Sequence, residues 1–209
     1  MEQTTRSDYY DIMLDPERSM IEDQFYLNDL RQRKIYLNCE ITSDTAGEII
    51  RHILQFNADD KDIPKEERRP IILYINSPGG EVDSGFGLID AIESSETPVY
   101  TVNLAMEYSM AFLIGLAGHK RFSQKNARFL MHDGSSFAYD STSKVQDLMK
   151  FQSAVEARIM AYVLAHSRLT EEEYRDRYRV EWYMFADEAK QHGFCDFIIG
   201  TDCPIGEVI

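Results

Sequence analysis

From Lys34 onward the apolar positions of this chain alternate between short saturated runs and longer segments with a three-to-four-residue period. "KIYLNCEI" has strand character, and "SDTAGEIIRHILQF" sets Ile49, Ile50, Ile53 and Leu54 on one helical face behind a cap at Ser43 or Asp44. "IILYIN" is apolar almost throughout, as a strand buried on both faces requires, and it leads through "SPGGEVD" into the helical "SGFGLIDAIES". The unit then repeats. "TPVYTVNL" is a buried strand, "SMAFLIGLAG" begins a helix, and "ARFLMHDGSS" is a strand that ends in a Gly-rich turn. Strands that alternate with helices predict an α/β fold with a largely parallel sheet.

Beyond that sheet, Val145, Leu148, Gln152, Val155, Ile159, Tyr162 and Val163 recur at helical spacing and predict one long amphipathic helix, opened by a capping box of Ser143 and Gln146. A second box, Thr170 with Glu173, opens "EEEYRDRY". "FADEAKQHGF" reads as a short helix closed by Gly193 before the strand "CDFII". Residues 1–33 show no long period and read as an irregular arm, which leaves 34–209 as the single folded domain. The stretch from Asn57 to Pro70, with two prolines among many charges, reads as a solvent loop.

Composition narrows the functional classes. A chain of 209 residues suits one domain with a sizeable core. A formal net charge of -14 argues against nucleic acid as a partner, since phosphate binding depends on clustered Lys and Arg. No apolar run reaches the ~18 residues that a spanning helix needs, and the N-terminus lacks a basic start and apolar core, so no membrane partner and cytoplasmic residence are expected. The three cysteines, Cys39, Cys195 and Cys203, form no CxxC pair, so reduced thiols are expected, with no metal and no cofactor.

Candidate chemistry gathers at strand ends. In "INSPGGEVDSG" two glycines follow a buried strand and precede a helix, a turn whose backbone N–H groups suit a developing negative charge, although a tight turn needs glycine for steric reasons as well. Ser109, within "AMEYSMAFLIG", stands where a strand gives way to a helix, the place of a nucleophile in strand-turn-helix hydrolases, without their GxSxG motif. Of the five histidines, His132 alone ends a predicted buried strand, on the same sheet edge as Gly80 and Ser109. His52, His119, His166 and His192 fall on helices or in charged turns. Taken singly, Ser109 and His132 also suit ordinary buried, hydrogen-bonded residues.

In order along the chain, "LYINSPGGEVDSGFGLIDAI", "EYSMAFLIGLAGHKRF", "NARFLMH" and "WYMFADEAKQHGFCDFI" resemble the motifs of the ClpP family, the serine-peptidase subunits of the Clp protease. The resemblance runs from about Lys34 to Gly200, and "EQTTRSDYYDI" is similar to the family's mature N-terminal segment. It implies a crotonase-like fold of repeated ββα units in which the helix near 143–166 is a protruding handle that joins two stacked heptameric rings. It also implies acyl transfer with Ser109 as nucleophile and His132 as base, and with Gly80 and Met110 supplying the oxyanion hole. The family's third member is aspartate, and the position that matches it here is Glu181, with Asp176 and Asp187 as weaker candidates. Glu107 and Tyr108 stand where the family has small residues, so they either narrow the cleft or point into packing.

The partners implied by the resemblance are an AAA+ unfoldase ATPase, unfolded polypeptide substrates and further copies of the chain. Two alternatives share the fold. One is a phage-type head-maturation peptidase that cuts a specific partner, and the other is a catalytically silent ring subunit.

Overall fold

The computed structural model describes residues 18–134 and 141–208. Its centre is strand β2 (Ile71–Ser77), flanked in parallel by β1 (Lys34–Leu37) and β3 (Val99–Tyr108). Alternation along β2 sends Ile71, Leu73 and Ile75 into the larger core and Ile72 and Tyr74 into a smaller one on the opposite face. Both faces of the strand are thus covered, which is why its sequence is apolar without a break. Helices α2 (Ser43–Asp59) and α3 (Val82–Glu93) close the larger face with Ala46, Ile49, Ile53, Leu88, Ile89 and Ile92.

β3 is ten residues long and serves two partners on one edge. Tyr100–Asn103 pair with β4 (Lys120–Gln124), and Met106–Tyr108 pair with β5 (Arg128–Met131), both in parallel. Beyond β4 lies β7 (Phe197–Ile199), also parallel, whereas beyond β5 lies β6 (Trp182–Phe185), the one antiparallel neighbour in the sheet as described. The sheet therefore forks. Helix α4 (Met110–Leu116) leaves the end of β3 and is buried along its whole length. The expected α/β architecture with a mostly parallel sheet is present. Sequence periodicity had not indicated β4 or β6.

Several local expectations are corrected. Residues 18–31 form a helix, α1 (Arg18–Arg31), rather than irregular arm; the Tyr26 hydroxyl donates to Glu48 at 2.7 Å, and Leu30 packs on the larger core. The "EQTTRSDYYDI" segment lies outside the described residues. The cap of α2 is Thr42, not Ser43 or Asp44: Thr42 and Thr45 exchange side-chain and backbone hydrogen bonds in a reciprocal box. Helix α5 (Thr142–Ala165) starts after Ser141, so Ser143 and Gln146 fall inside it. The Thr170–Glu173 box does open α6 (Glu171–Tyr178), and Gly193, at φ +79, follows α7 (Ala186–Gln191).

The stretch read as a solvent loop begins later and is anchored. α2 continues to Asp59, and the Asp60 carboxylate, buried at 1% exposure, takes both terminal nitrogens of Arg33 and the Thr97 hydroxyl. A charge run hid that network, because an ion pair satisfied inside the fold has the same composition as one in water.

α5 behaves differently from the other helices. Only Val163 is buried on it, near its C-terminal end, while Leu148, Met149 and Phe151 stand about half to two-thirds exposed near its start. No helix among the described residues is long and apolar enough to cross a membrane.

Candidate active site

The register of the forked sheet brings the candidate residues together. β5 and β6 pair Leu130 with Tyr183 and Met131 with Trp182, so one step further along this antiparallel ladder His132 meets Glu181. Their Nδ1 and Oε1 atoms are 2.8 Å apart. On the other side of β5 the last registered pair with β3 is Tyr108 and Leu130, and the Ser109 N–H donates to the Leu130 carbonyl at 3.0 Å. Ser109 and His132 thus leave neighbouring parallel strands at the same end and border one cleft.

The ionic asymmetry at His132 has chemical content. A carboxylate only accepts, so Nδ1 must carry the hydrogen of the bond to Glu181, which leaves Nε2 with a free lone pair when the ring is neutral. Nε2 is buried and has no hydrogen-bond partner. The bond to His132 is also the leading reason that the Glu181 carboxyl is held below the usual carboxylate range. Ser109 Oγ and Nε2 face the same cleft without a hydrogen bond between them, a looseness common in sites without substrate.

Ser109 has φ +55 and ψ -123, a backbone conformation that costs a residue with a side chain about 1–3 kcal/mol. The turn is held by its N–H bond to Leu130 and by the Phe112 N–H, which donates to the Ser109 carbonyl at 3.0 Å. It presents Oγ ahead of Met110, the first residue of α4, where the helix's own ladder leaves N–H groups unpaired. The "SPGG" turn packs directly against this bend. A side chain on Gly79, at φ +100, would come within 2.7 Å of the Tyr108 carbonyl oxygen and 2.8 Å of Ser109 Cβ.

Gly80 is fixed from the opposite side. Ile41 donates to the Gly79 carbonyl at 2.8 Å and accepts from Glu81 N–H at 2.9 Å, so alternation turns the N–H of Gly80 away from Ile41. A Cβ at Gly80 would lie 2.2 Å from the Ile41 carbonyl oxygen. The backbone at Gly80 and Met110 therefore flanks the Ser109 turn with two N–H groups that secondary structure does not consume.

The cleft wall is apolar: Val82, Met110, Leu113, Met131, Ile159 and Val163. Tyr174 and Tyr178 complete it with rings stacked at 5.0 Å, and no Asp, Glu, Lys or Arg lines it among the described residues. Neither of the two bulky neighbours of Ser109 intrudes. Glu107 is 3% exposed and its carboxyl packs on Gly115, where burial raises its pKa well above the ordinary range against a weak opposing pull from Arg121. Tyr108 lies on the sheet surface, edge-on to Tyr183 at 5.7 Å with the Arg128 guanidinium 5.9 Å from its ring.

Of the weaker acidic candidates, Asp187 sits in the first turn of α7 and Asp176 on the exposed side of α6. Neither has a contact with His132. Among the other histidines, His52 is beside Glu48 and Tyr26, His119 caps the start of β3 at Val99, and His166 pairs with Glu93, all away from the cleft. Among the described residues no group of His, Cys, Asp and Glu is arranged to hold a metal ion. Strand β6, which carries Glu181 to His132, is the element of the candidate site that periodicity missed; its signal in the sequence was the aromatic-rich run "WYMF".

Comparison with known proteins identifies the family of the chain. Residues 17–202 match the family model described as Clp protease. The chain is 32% identical over 190 residues to the ATP-dependent Clp protease proteolytic subunit 2 of Rhodococcus jostii, covering 89% of this chain and 93% of that one. It is 33% identical over 172 residues to the subunit 2 of Tropheryma whipplei, covering 81% and 92%. To the subunit 1 of Frankia casuarinae it is 31% identical over 184 residues, covering 85% and 82%. With four ordered motifs, a forked α/β sheet and these matches over most of its length, the chain belongs to the Clp protease family.

Proposed function

We propose that this chain is an active proteolytic subunit, a serine endopeptidase that hydrolyses peptide bonds of unfolded proteins. The observation that carries the reading is the 2.8 Å contact between His132 Nδ1 and Glu181, which leaves Nε2 free in the cleft that Ser109 borders. Ser109 Oγ attacks the peptide carbonyl carbon as its proton passes to Nε2, and the carbonyl oxygen gathers negative charge between the N–H groups of Gly80 and Met110. Collapse breaks the C–N bond, Nε2 returns the proton to the leaving amine, and water then hydrolyses the acyl-enzyme by the same route.

The relatives' names include "ATP-dependent", which supports an AAA+ unfoldase as the partner that delivers unfolded chains. The exposed Leu148, Met149 and Phe151 on α5 support a handle that packs against further copies of the chain in stacked heptameric rings. Glu181 and Tyr108 are the features that motivate a silent ring subunit; Glu181 reaches His132, and Tyr108 stays out of the cleft.

Hydrolysis of fluorogenic peptides by the purified oligomer tests the activity. Turnover that disappears in Ser109→Ala and in His132→Ala is the expected result. Turnover that survives in Ser109→Ala contradicts it. Digestion of a folded tagged protein only with an unfoldase and ATP tests the partner.

A further inference from the structure

Leu130 of β5 is registered with Tyr108 of β3 on one side and with Tyr183 of β6 on the other. Side chains opposite one another in a sheet share a face, and here the two tyrosines close over the leucine between them. Their rings meet edge to face with centroids 5.7 Å apart, and Leu130 keeps only 5% of its surface exposed. The Arg128 guanidinium lies 5.9 Å from the Tyr108 ring and extends the stack. Tyr183 is thereby held against the sheet although it is itself about half exposed.

Strand alternation, continued one step beyond β6, puts Glu181 on the same face as Tyr183, two residues before it. The Glu181 side chain is 59% exposed, so packing does not fix its rotamer and water competes for its oxygens. What packing leaves free, the Tyr183 hydroxyl holds. It hydrogen-bonds the Glu181 carboxylate, and because a carboxylate only accepts, the phenol is the donor. Behind the bond to His132, this second donor also helps to keep the Glu181 carboxyl low. Tyr183 does not line the cleft, so a substrate in it meets the effect of this hydroxyl only through Glu181 and His132.

Resting on the proposed peptidase activity, we propose that Tyr183 is a positioning residue, whose hydroxyl anchors the Glu181 carboxylate so that Oε1 stays on His132 Nδ1, with Tyr108 bracing the ring that carries it. The imidazole is then held with Nε2 toward the cleft while it takes and returns the proton. A loosened carboxylate lets the ring turn, which slows the chemical step and leaves the apolar wall that binds substrate as it was.

Fluorogenic peptide hydrolysis by the assembled wild type, Tyr183→Phe, Glu181→Ala and the double variant tests this, with kcat and KM measured separately. Tyr183→Phe keeps the ring and its contact with Tyr108 and removes only the hydroxyl. It is expected to lower kcat about three- to tenfold with KM unchanged. In Glu181→Ala there is no carboxylate to hold, and adding Tyr183→Phe is expected to change kcat by less than about twofold. Wild-type kcat in Tyr183→Phe, a loss that falls on KM instead, or an equal loss in both backgrounds overturns the assignment. Ser109-dependent turnover by the wild type reports separately on the peptidase reading; if the wild type cleaves no peptide, both fall.

Discussion

His132 and Glu181 face each other one step beyond the last registered pair of β5 and β6, with Nδ1 and Oε1 2.8 Å apart. The extra methylene of glutamate, compared with the family's aspartate, does not prevent the contact, because the antiparallel ladder sets the two backbones opposite each other. Glu181→Gln is expected to lower kcat for peptide hydrolysis by roughly 10²–10⁴-fold, since an amide can hold the wrong imidazole tautomer. Native mass measurement should show an unchanged assembly. Turnover equal to wild type would remove Glu181 from the mechanism.

The φ of +55 at Ser109 exchanges stability for an exposed hydroxyl. Ser109→Gly is expected to raise stability by about 1–2 kcal/mol, a few degrees in Tm for a chain of this size, while activity is lost. Ser109→Ala retains a Cβ in the same conformation and should not show the gain. Thermal unfolding of the two variants side by side distinguishes backbone strain from loss of the hydroxyl, and equal Tm values would contradict the strain.

Gly79 is the point where the two turns touch. Gly79→Ala places a methyl 2.7 Å from the Tyr108 carbonyl at a φ that side chains rarely adopt. A destabilisation of about 2–4 kcal/mol is expected from strain and overpacking together, with loss of peptide hydrolysis. Chemical denaturation measures the first and the fluorogenic assay the second. A variant with wild-type stability would mean that the turns are looser than the contact implies.

Glu107 gives stability a pH dependence of definite sign. Burial raises its folded pKa above the unfolded value, so the folded chain holds a proton that the unfolded chain releases. The resulting stability is complete below the unfolded carboxyl pKa and is lost as pH rises through the folded one. Glu107→Gln removes this loss. Denaturation midpoints at pH 4 and pH 8 should show the variant gaining on wild type as pH rises, and parallel curves would contradict a protonated Glu107.

Strands β2 and β3 and helices α2 to α4 were legible because each buries a continuous run or a helical stripe, and burial is what periodicity reports; α5 was legible from its apolar period although only Val163 on it is buried. Ser109, His132 and Gly80 were legible as strand-end residues on one sheet edge. β6 was not, since a four-residue strand gives only two buried positions, Trp182 and Met184, too few for a period. The fork in β3 was equally hidden. Pairing first with β4 and then with β5 depends on register between strands, and no property of "VYTVNLAMEY" taken alone encodes it.

A Ser109 hydroxyl activated by His132 reacts with electrophiles that mimic the attacked carbonyl. Labelling of the assembled protein with a fluorophosphonate probe, read by peptide mass spectrometry, measures that reactivity. A single adduct on Ser109 that is absent in His132→Ala and slowed in Glu181→Gln is the predicted result. A correctly assembled protein that stays unlabelled, or that carries its adduct on another residue, would contradict it.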